Sequence, residues 1–510
     1  MSRASETFDV IVIGFGYAGA VAAIEAHDAG ARVLLLEKEP DPGGISVCSA
    51  GGLRIAKSAE DAYAYLAATN AGTAPEPVLR RLAEGMTGLA DYVRRLARPS
   101  GAVVSVRDHV ANYPLPGTDT FGFVYIEEVP GFDAAAEFPS VRGSADGARL
   151  FKVVLEEVRR RERIVVRLAT PAQRLLRGAA GVAGVAAGGR TILARHGVVL
   201  ACGGFEGDAE MQRQFWQIKP VLSAAVRSNT GDGIRMAQEV GAGLWHMWHF
   251  HGSYGFRHPD PRFPFGIRLK RLPDWVPGRG LREDVVMSWI LVDRHGRRFM
   301  NEYDPYMQDT GHRPFEAFDP VLQNYPRIPS ILIVDAPGKK RYPLSAPTWH
   351  DAPVAERWRR TSPADMDAAI LTEAATLPAL AAALGLDPAV LATTVADWNA
   401  ACADGRGHRG RDAAFGRPPG SMLPIATPPF YGARVWPVVS NTQGGPVHDA
   451  EQRVLDAFGD PIPRLYAAGE CGSLFGHLYM SGGNLAECFI GGRIAGRAAA
   501  AETVLDLEEA

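Results

Sequence analysis

Cysteine is scarce and scattered in this sequence: five residues, Cys48, Cys202, Cys402, Cys471 and Cys488, with no CxxC and no CxxCH among them. That argues against a disulfide framework, a cysteine-ligated iron–sulfur cluster and covalently attached haem. Long apolar runs are missing too. Nowhere do about 18 apolar residues follow one another, and the opening MSRASETFDV has no apolar targeting core. The expectation is therefore no integral membrane span and a cytoplasmic location. Charge of one sign is also lacking: a net charge of -3 gives no global attraction for nucleic acid or for an anionic membrane surface. What remains is ordinary globular composition, 46% hydrophobic and 22% charged, in 510 residues. That length exceeds what one hydrophobic core usually serves, so two domains, or one with a large insertion, are expected.

Glycine is where the sequence becomes informative. The buried-strand run FDVIVI leads directly into Gly14-x-Gly16-x-x-Gly19 and then into a helical AVAAIEAHDAG. A second apolar strand, ARVLLL, ends on Glu37, at the distance where an acid takes the ribose hydroxyls of an adenosine while the glycines admit the pyrophosphate. This pattern serves NAD and FAD alike. Further glycine-rich turns favour FAD: Gly43-Gly44, then Ser49-Ala50-Gly51-Gly52, then the strand GVVLA ending in Cys202-Gly203-Gly204.

The stretch 465–496, LYAAGECGSLFGHLYMSGGNLAECFIGGRIAG, closes the set. An apolar strand delivers Gly469-Glu470, and a helix opens on Gly482-Gly483 with Asn484-Leu485 behind. A carboxylate for a sugar hydroxyl and a bare helix N-terminus for developing negative charge suit a flavin. Between them lie His477, Tyr479 and Ser481, at the place where a flavin ring would sit.

Together with GGISVCSAGG, ACGGF at 201–205, NTGDGIRMAQEVGA at 229–242, GRRFMNE at 296–302, LDPAVLATTVADWNAAC at 386–402, DAAFGR at 412–417 and NTQGGPVHD at 441–449, these motifs resemble the flavoprotein family of soluble fumarate reductases and 3-ketosteroid dehydrogenases. The resemblance runs over nearly the whole chain. It implies an α/β fold: a Rossmann-like FAD-binding domain in two parts, 1–275 and 436–510, with an inserted α+β capping and catalytic domain at 276–435 whose junction forms the substrate pocket. Cofactor contacts are expected from Gly14, Gly16, Tyr17, Ala18, Gly19, Glu37, Lys38, Gly43, Gly44, Ser46, Gly51 and Gly52. Later contacts are expected from Ala172, by its backbone to the adenine, and from Ala201, Gly203, Asn229, Asp232, Gly469, Glu470, Asn484 and Leu485. Members that attach FAD covalently carry a histidine in the segment before Gly51-Gly52; its lack here implies non-covalent FAD.

One departure bears on the chemistry. Fumarate reductases carry an arginine close before the Gly-Gly-Asn to clamp a dicarboxylate and deliver a proton, whereas this chain has Met480. A thioether can do neither. The stretch instead resembles the 3-ketosteroid dehydrogenases, in which a tyrosine and a glycine N–H four residues later hold the ketone oxygen. Tyr479 and Gly483 have that spacing, and the Tyr-x-Ser-Gly form with Ser481 is closer to the Δ4-(5α) enzymes than to the Δ1 enzymes. By the same resemblance Tyr306 matches the α-proton base, with Tyr303 the nearby alternative, and Tyr113 lines the pocket. Tyrosine is a poor base at its ordinary pKa, so a neighbour or the flavin's field has to help it; Ser481 is a candidate relay. The activity implied is an FAD-dependent ketone α,β-dehydrogenase acting on a small-molecule cyclic ketone, such as a 3-ketosteroid or an oxo-cyclohexane carboxylate, with an external electron acceptor. A fumarate-reductase-like reductase of an activated alkene, or a flavin-binding protein without catalysis, are the alternatives.

Other features have plainer readings. His246, His249 and His251 lack an acid or cysteine to complete a metal set and read as wall or core residues, and no metal is expected. The tryptophans Trp245, Trp248 and Trp289 line an apolar pocket or a core. The arginines of 257–298 read as a solvated cap face, but one of them inside the pocket would favour a ketone carrying a carboxylate over a steroid.

Overall fold

In the computed structural model, residues 6–269, 286–303, 307–404 and 414–504 are described. The first sheet gathers strands from both ends of the chain, in the order Arg453–Leu455, Pro461–Ala467, Arg190–Leu200, Glu6–Ile13, Val33–Leu36 and Ile164–Arg167. The Glu6–Ile13 strand runs parallel to Val33–Leu36 on one side and to Arg190–Leu200 on the other, and Pro461–Ala467 continues the parallel set. Both faces are covered, which is why these strands read as unbroken apolar runs. Val10, Val12, Val33 and Leu35 enter one apolar cluster, and Ile11, Ile13, Leu34 and Leu36 the other, the period-two alternation of a strand.

The covering on the first face is a pair of helices, Tyr17–Asp28 and Gly483–Ala501. Their axes approach closely because the last helix presents glycines: a Cβ at Gly492 would lie 2.6 Å from the Ala18 carbonyl oxygen, and one at Gly496 would lie 2.3 Å from that of Ala22. The N-terminal glycine turn and the start of the last helix are thereby held on one side of the sheet, at the ends of its central strands.

The second sheet is mostly antiparallel, ordered Ile290–Val292, Ser330–Asp335, Phe430–Thr442, Phe250–Arg257, Gly266–Leu269 and Ser345–Ala346. The boundary expected at 276 lies outside the described residues, and strands on both sides of it pair into this one sheet. Helices Leu377–Leu384 and Pro388–Asp404 pack on it. The second of these helices begins where Asp387-Pro388 predicts: the Asp387 carboxylate accepts from Ala389 N and Val390 N at 2.8 and 3.1 Å, satisfying two N–H groups that the first turn leaves without helical partners.

The GRRFMNE and DAAFGR motifs meet in the interior of this part. Glu302 is fully buried between Arg298 at 2.9 Å and Arg417 at 3.2 Å, and Arg417 also donates to the carbonyls of Met287, Trp289 and Ser421. Burial opposes the Glu302 charge, but the two guanidiniums hold its carboxyl below the usual range. Removing one partner would strand a buried charge, which explains why the residues come as a set.

Candidate active site

At the ends of the first sheet's central strands lies a cavity with about 790 Å3 of space including its open mouth, lined by Gly14, Gly16, Tyr17, Ala18, Glu37, Lys38, Gly43, Gly44, Ser46, Ala172, Ala201, Gly203, Asn229, Asp232 and Glu470. Backbone forms much of this wall. Gly14 has φ +103°, and a Cβ on it would stand 2.4 Å from the Ala201 carbonyl oxygen; one on Gly19 would stand 1.8 Å from that of Gly14. Gly19 therefore brings the helix against the turn and does not line the cavity. Glu37, at the end of its strand, accepts from Phe15 N at 2.9 Å through one carboxylate oxygen and from Glu39 N at 3.0 Å through the other. Burial pushes its carboxyl up, and those two N–H groups pull it back. A carboxylate has about four acceptor positions, so capacity remains for a diol. Lys38 reaches across to Asp232 at 2.6 Å and to Thr230 at 2.8 Å, so these two expected contacts face each other.

A second cavity, with about 1160 Å3 of such space including its open mouth, shares Tyr17, Ile45, Ser46, Glu470 and Cys488 with the first. It extends past Tyr479, Ser481, Gly482, Asn484 and Leu485 to residues of the second sheet, His251, Arg268, Ser440 and Asn441. Glu470 is buried at the junction. It accepts from Thr442 N at 2.8 Å and from Asn229 Nδ2 at 3.3 Å, and the same amide nitrogen donates to Glu206 at 2.7 Å. Burial raises both carboxyls, and the negative charge of Glu470 raises Glu206 further.

Gly51, Gly52, Gly469 and Gly483 line neither cavity, and each has a packing reason. A Cβ at Gly51 would stand 2.3 Å from the Asp146 backbone, at Gly52 2.6 Å from the Tyr125 ring, at Gly469 2.8 Å from Ala18, and at Gly483 2.7 Å from the Phe475 ring. The expected pairing of Tyr479 O–H with Gly483 N–H is not what is found: Gly483 N donates to the Met480 carbonyl at 2.9 Å, closing the turn. The Tyr479 hydroxyl accepts instead from Asn484 N at 3.4 Å, one residue further into the helix. Burial pushes the phenol up, and this N–H opposes it. Met480 is 1% exposed and turned into the apolar cluster, away from the cavity.

Three buried polar residues that carry no sequence motif hold this loop. Asp309 accepts from Tyr479 N at 3.0 Å and from the Tyr113 hydroxyl at 2.7 Å, so Tyr113 stands behind the loop and outside the cavity lining. The other Asp309 oxygen lies 3.6 Å from His249 Nε2 and 3.7 Å from His251 Nδ1. Asp309 is fully buried, which opposes its charge, but the two imidazoles hold the carboxyl well below the carboxylate range. Asn112 accepts from Ser481 N at 2.8 Å, and Arg54 Nε donates to the Ser481 carbonyl at 2.9 Å.

The His251 ring packs 4.3 Å from that of Tyr479, so this histidine is cavity wall, whereas His246, buried and pushed down to about 4 by that burial, donates to the Ser473 carbonyl at 2.7 Å. Among the described residues no three His, Cys, Asp or Glu side chains group as metal ligands. Trp289 is fully buried in the second core and Trp248 is 61% exposed; neither lines the cavity, nor does Trp245. Tyr306 lies outside the described residues, as do the arginines between 270 and 285. Tyr303 is buried at 4% exposure in the second core.

A glycine turn that only backbone can form, an acid with remaining acceptor capacity at the end of the second strand, and a helix whose N-cap, Gly482, offers no side-chain cap all fit FAD. A family model described as FAD binding domain matches residues 9–485. The chain belongs to this FAD-binding family. It is 29% identical over 530 residues to a digoxin reductase from Eggerthella lenta, covering 97% of this chain and 87% of that one. It is also 29% identical over 588 residues to a 4-oxocyclohexanecarboxylate 2-dehydrogenase from Sinomonas cyclohexanicum, covering 99% and 97%. Among solved structures, the 3-ketosteroid Δ1-dehydrogenase from Sterolibacterium denitrificans in complex with 1,4-androstadiene-3,17-dione superposes with a TM-score of 0.79 at 23% identity over 98% of this chain and all of that one, a likeness of fold. The chain is accordingly an FAD-dependent oxidoreductase of the steroid dehydrogenase and fumarate reductase group. Among the described residues no helix is long and apolar enough to cross a membrane.

Proposed function

We propose that the protein is an FAD-dependent dehydrogenase that introduces a C=C double bond α,β to the ketone of a cyclic substrate, a 3-ketosteroid or an oxo-cyclohexane carboxylate, with an external electron acceptor. FAD, held without a covalent bond, supplies an acceptor at flavin N5 for the hydride of the β-carbon. The observation that carries the proposal is Tyr479: a buried phenol lining a cavity that shares wall residues with the glycine-turn cavity, its oxygen at the N-terminus of the last helix. Because that oxygen accepts from Asn484 N–H, the hydroxyl proton can be directed to a ketone oxygen, and the helix dipole favours the negative charge that enolisation develops there.

Tyr479 is thus the oxyanion donor of this reading, and Gly483 joins it only where its N–H leaves Met480. Tyr306 takes the α-proton, with Ser481 as relay; this role rests on the resemblance of NEYDPY to the dehydrogenases. Asp309 positions Tyr479 by its backbone and Tyr113 by its hydroxyl. Glu37 and Glu470 bind the cofactor's sugar and ribityl hydroxyls. Reduction of an activated alkene is the second reading; the relative named a digoxin reductase favours the reductive direction, while Met480, buried where a fumarate reductase needs an arginine, counts against a dicarboxylate. Turnover of 3-ketosteroids and oxo-cyclohexane acids, with the new double bond located in the product, tests the proposal. A product desaturated away from the carbonyl, or none from any ketone, overturns it.

A further inference from the structure

Beside the junction of the two cavities lies a buried acid that the cofactor and ketone readings leave unused. Glu206 follows the Cys202-Gly203-Gly204 turn, is fully buried and lines neither cavity. Its neighbour is Glu470, which lines both and is 7% exposed. One amide serves the two acids: Asn229 Nδ2 donates to Glu206 Oε1 at 2.7 Å and to Glu470 Oε2 at 3.3 Å. The glycines of the turn allow the meeting, since a Cβ at Gly203 would stand 2.7 Å from that amide nitrogen and one at Gly204 would stand 2.6 Å from Glu470 Oε1.

The donors are shared unequally. Glu470 Oε1 accepts from Thr442 N at 2.8 Å and from Thr442 Oγ1 at 3.2 Å, and the Gly204 N–H also favours its charge. Glu206 Oε1 accepts from Asn229, whereas its Oε2 is buried with no donor aimed at it. The two carboxyls also contact each other, and because ionised carboxylates only accept, a bond between them requires a proton on one. Among the described residues neither acid makes an ion pair with a lysine, arginine or histidine. Lys38 is bonded to Asp232 and Thr230, and Arg268 to Ser440 and Thr348. The other titratable groups facing the pair, Glu487 and the thiols of Cys48, Cys471 and Cys488, bring no positive charge. Two adjacent buried negative charges without a cation are too costly to persist, so the pair keeps at least one proton, and the donor set puts it on Glu206.

We infer that Glu206 is a positioning residue for the cofactor: it stays a carboxylic acid at neutral pH and thereby leaves Glu470 as the single carboxylate that accepts from a hydroxyl of FAD. This rests on the reading of Glu470 as a cofactor-binding residue, but the proton can be tested without it. A cofactor in the first cavity covers the exposed edge of Glu470 and takes the pair further from water, which strengthens its hold on the proton. Binding therefore takes up a proton wherever the FAD-free protein has begun to lose it, so FAD affinity falls as pH rises into the alkaline range. Glu206→Gln removes this dependence, because a glutamine amide donates to Glu470 and accepts from Asn229 at every pH. Glu206→Ala supplies neither bond and leaves the Asn229 N–H without its acceptor.

The test follows FAD release from the diluted holoprotein by flavin fluorescence. Between about pH 7.5 and about pH 9.5 the Kd for FAD should rise at least about tenfold in the wild type and stay within about threefold in Glu206→Gln. Glu206→Ala should hold FAD more weakly than Glu206→Gln across the range. In parallel, the infrared spectrum of the wild-type holoprotein at about pH 8 should contain a carboxylic-acid carbonyl band that is absent from Glu206→Gln, since an ordinary carboxyl is fully ionised there. A wild-type Kd that does not change with pH, or an equal rise in Glu206→Gln, would overturn the proposal, as would identical infrared spectra. Glu206→Ala retaining FAD as well as Glu206→Gln would overturn the positioning role. Undiminished FAD retention in Glu470→Gln, with the Glu206 band present, would sink the cofactor reading of Glu470 and the positioning role with it, and leave the proton on Glu206 standing.

Discussion

Replacing Asp309 by asparagine keeps the shape of the side chain and removes its charge, so it isolates what the buried carboxylate does for the Tyr479 loop. In the wild type one oxygen accepts from Tyr479 N at 3.0 Å and the Tyr113 hydroxyl at 2.7 Å, and the other faces two imidazole nitrogens at 3.6 and 3.7 Å. An asparagine oxygen can still accept from Tyr479 and Tyr113, but as a neutral group. Bonds to a charged acceptor contribute about 1.5–3 kcal/mol and neutral ones about 0.5–1.5, so the two together lose about 2 kcal/mol. The new amide also presents donors to imidazoles that met a carboxylate, which adds to the loss. If about half of this falls on the position of the Tyr479 hydroxyl, flavin reduction by a ketone should slow about five- to tenfold, with FAD retained. Asp309→Ala should be worse, because it leaves a buried N–H and O–H without their acceptor. Stability should follow pH in a defined direction. The folded-state carboxyl of Asp309 is held below its unfolded value, so its contribution is present above about pH 4 and declines as pH falls below that. The advantage of wild type over Asp309→Asn in thermal release of FAD should therefore be full at pH 7 and shrink in acid. Wild-type reduction rates and a pH-independent stability difference in Asp309→Asn would refute this role.

Tyr479→Phe and Tyr306→Phe should each slow flavin reduction by about two orders of magnitude or more, as lost oxyanion donors and bases do, with FAD still bound. α-Proton exchange of the ketone without turnover should depend on Tyr306; a wild-type exchange rate in Tyr306→Phe would pass the role to Tyr303. Glu37→Ala and Glu470→Ala should weaken FAD retention, measured by dialysis, without changing the order in which ketones are preferred; undiminished retention in both would mean that the cofactor lies elsewhere. Acid precipitation should release intact FAD and leave a colourless pellet, because GGISVCSA offers no histidine for attachment; a yellow pellet would contradict that.

Much of the fold was legible because its signals are local. A strand, a glycine turn and an acid at the next strand's end lie within residues 8–37, and the two-part sheet follows from the second Gly-acid pair at 469–470. Asp387-Pro388 marks its helix start for the same reason. What was not legible depends on residues far apart in sequence. Asp309 reaches Tyr113 and Tyr479, and Arg54 reaches Ser481, contacts that no spacing along the chain encodes. The strands Phe250–Arg257 and Gly266–Leu269 join the second sheet although the change of composition comes later, at about 276, because pairing with Phe430–Thr442 is set by tertiary contact. Gly51 and Gly52 resemble ligand-contacting glycines, but their missing side chains make room for Asp146 and Tyr125. Gly483 illustrates the limit of spacing: four residues after Tyr479 is the distance at which its N–H closes a turn on Met480.

Anaerobic mixing of the oxidised holoprotein with cyclic ketones, followed by addition of fumarate to the reduced protein, tests the central claim most directly. The ketone chemistry of Tyr479 predicts that a cyclic ketone bleaches the flavin and emerges as its α,β-enone, that Tyr479→Phe bleaches about 100-fold more slowly, and that fumarate leaves the reduced flavin unchanged. No bleaching by any ketone, with rapid reoxidation by fumarate, would contradict it.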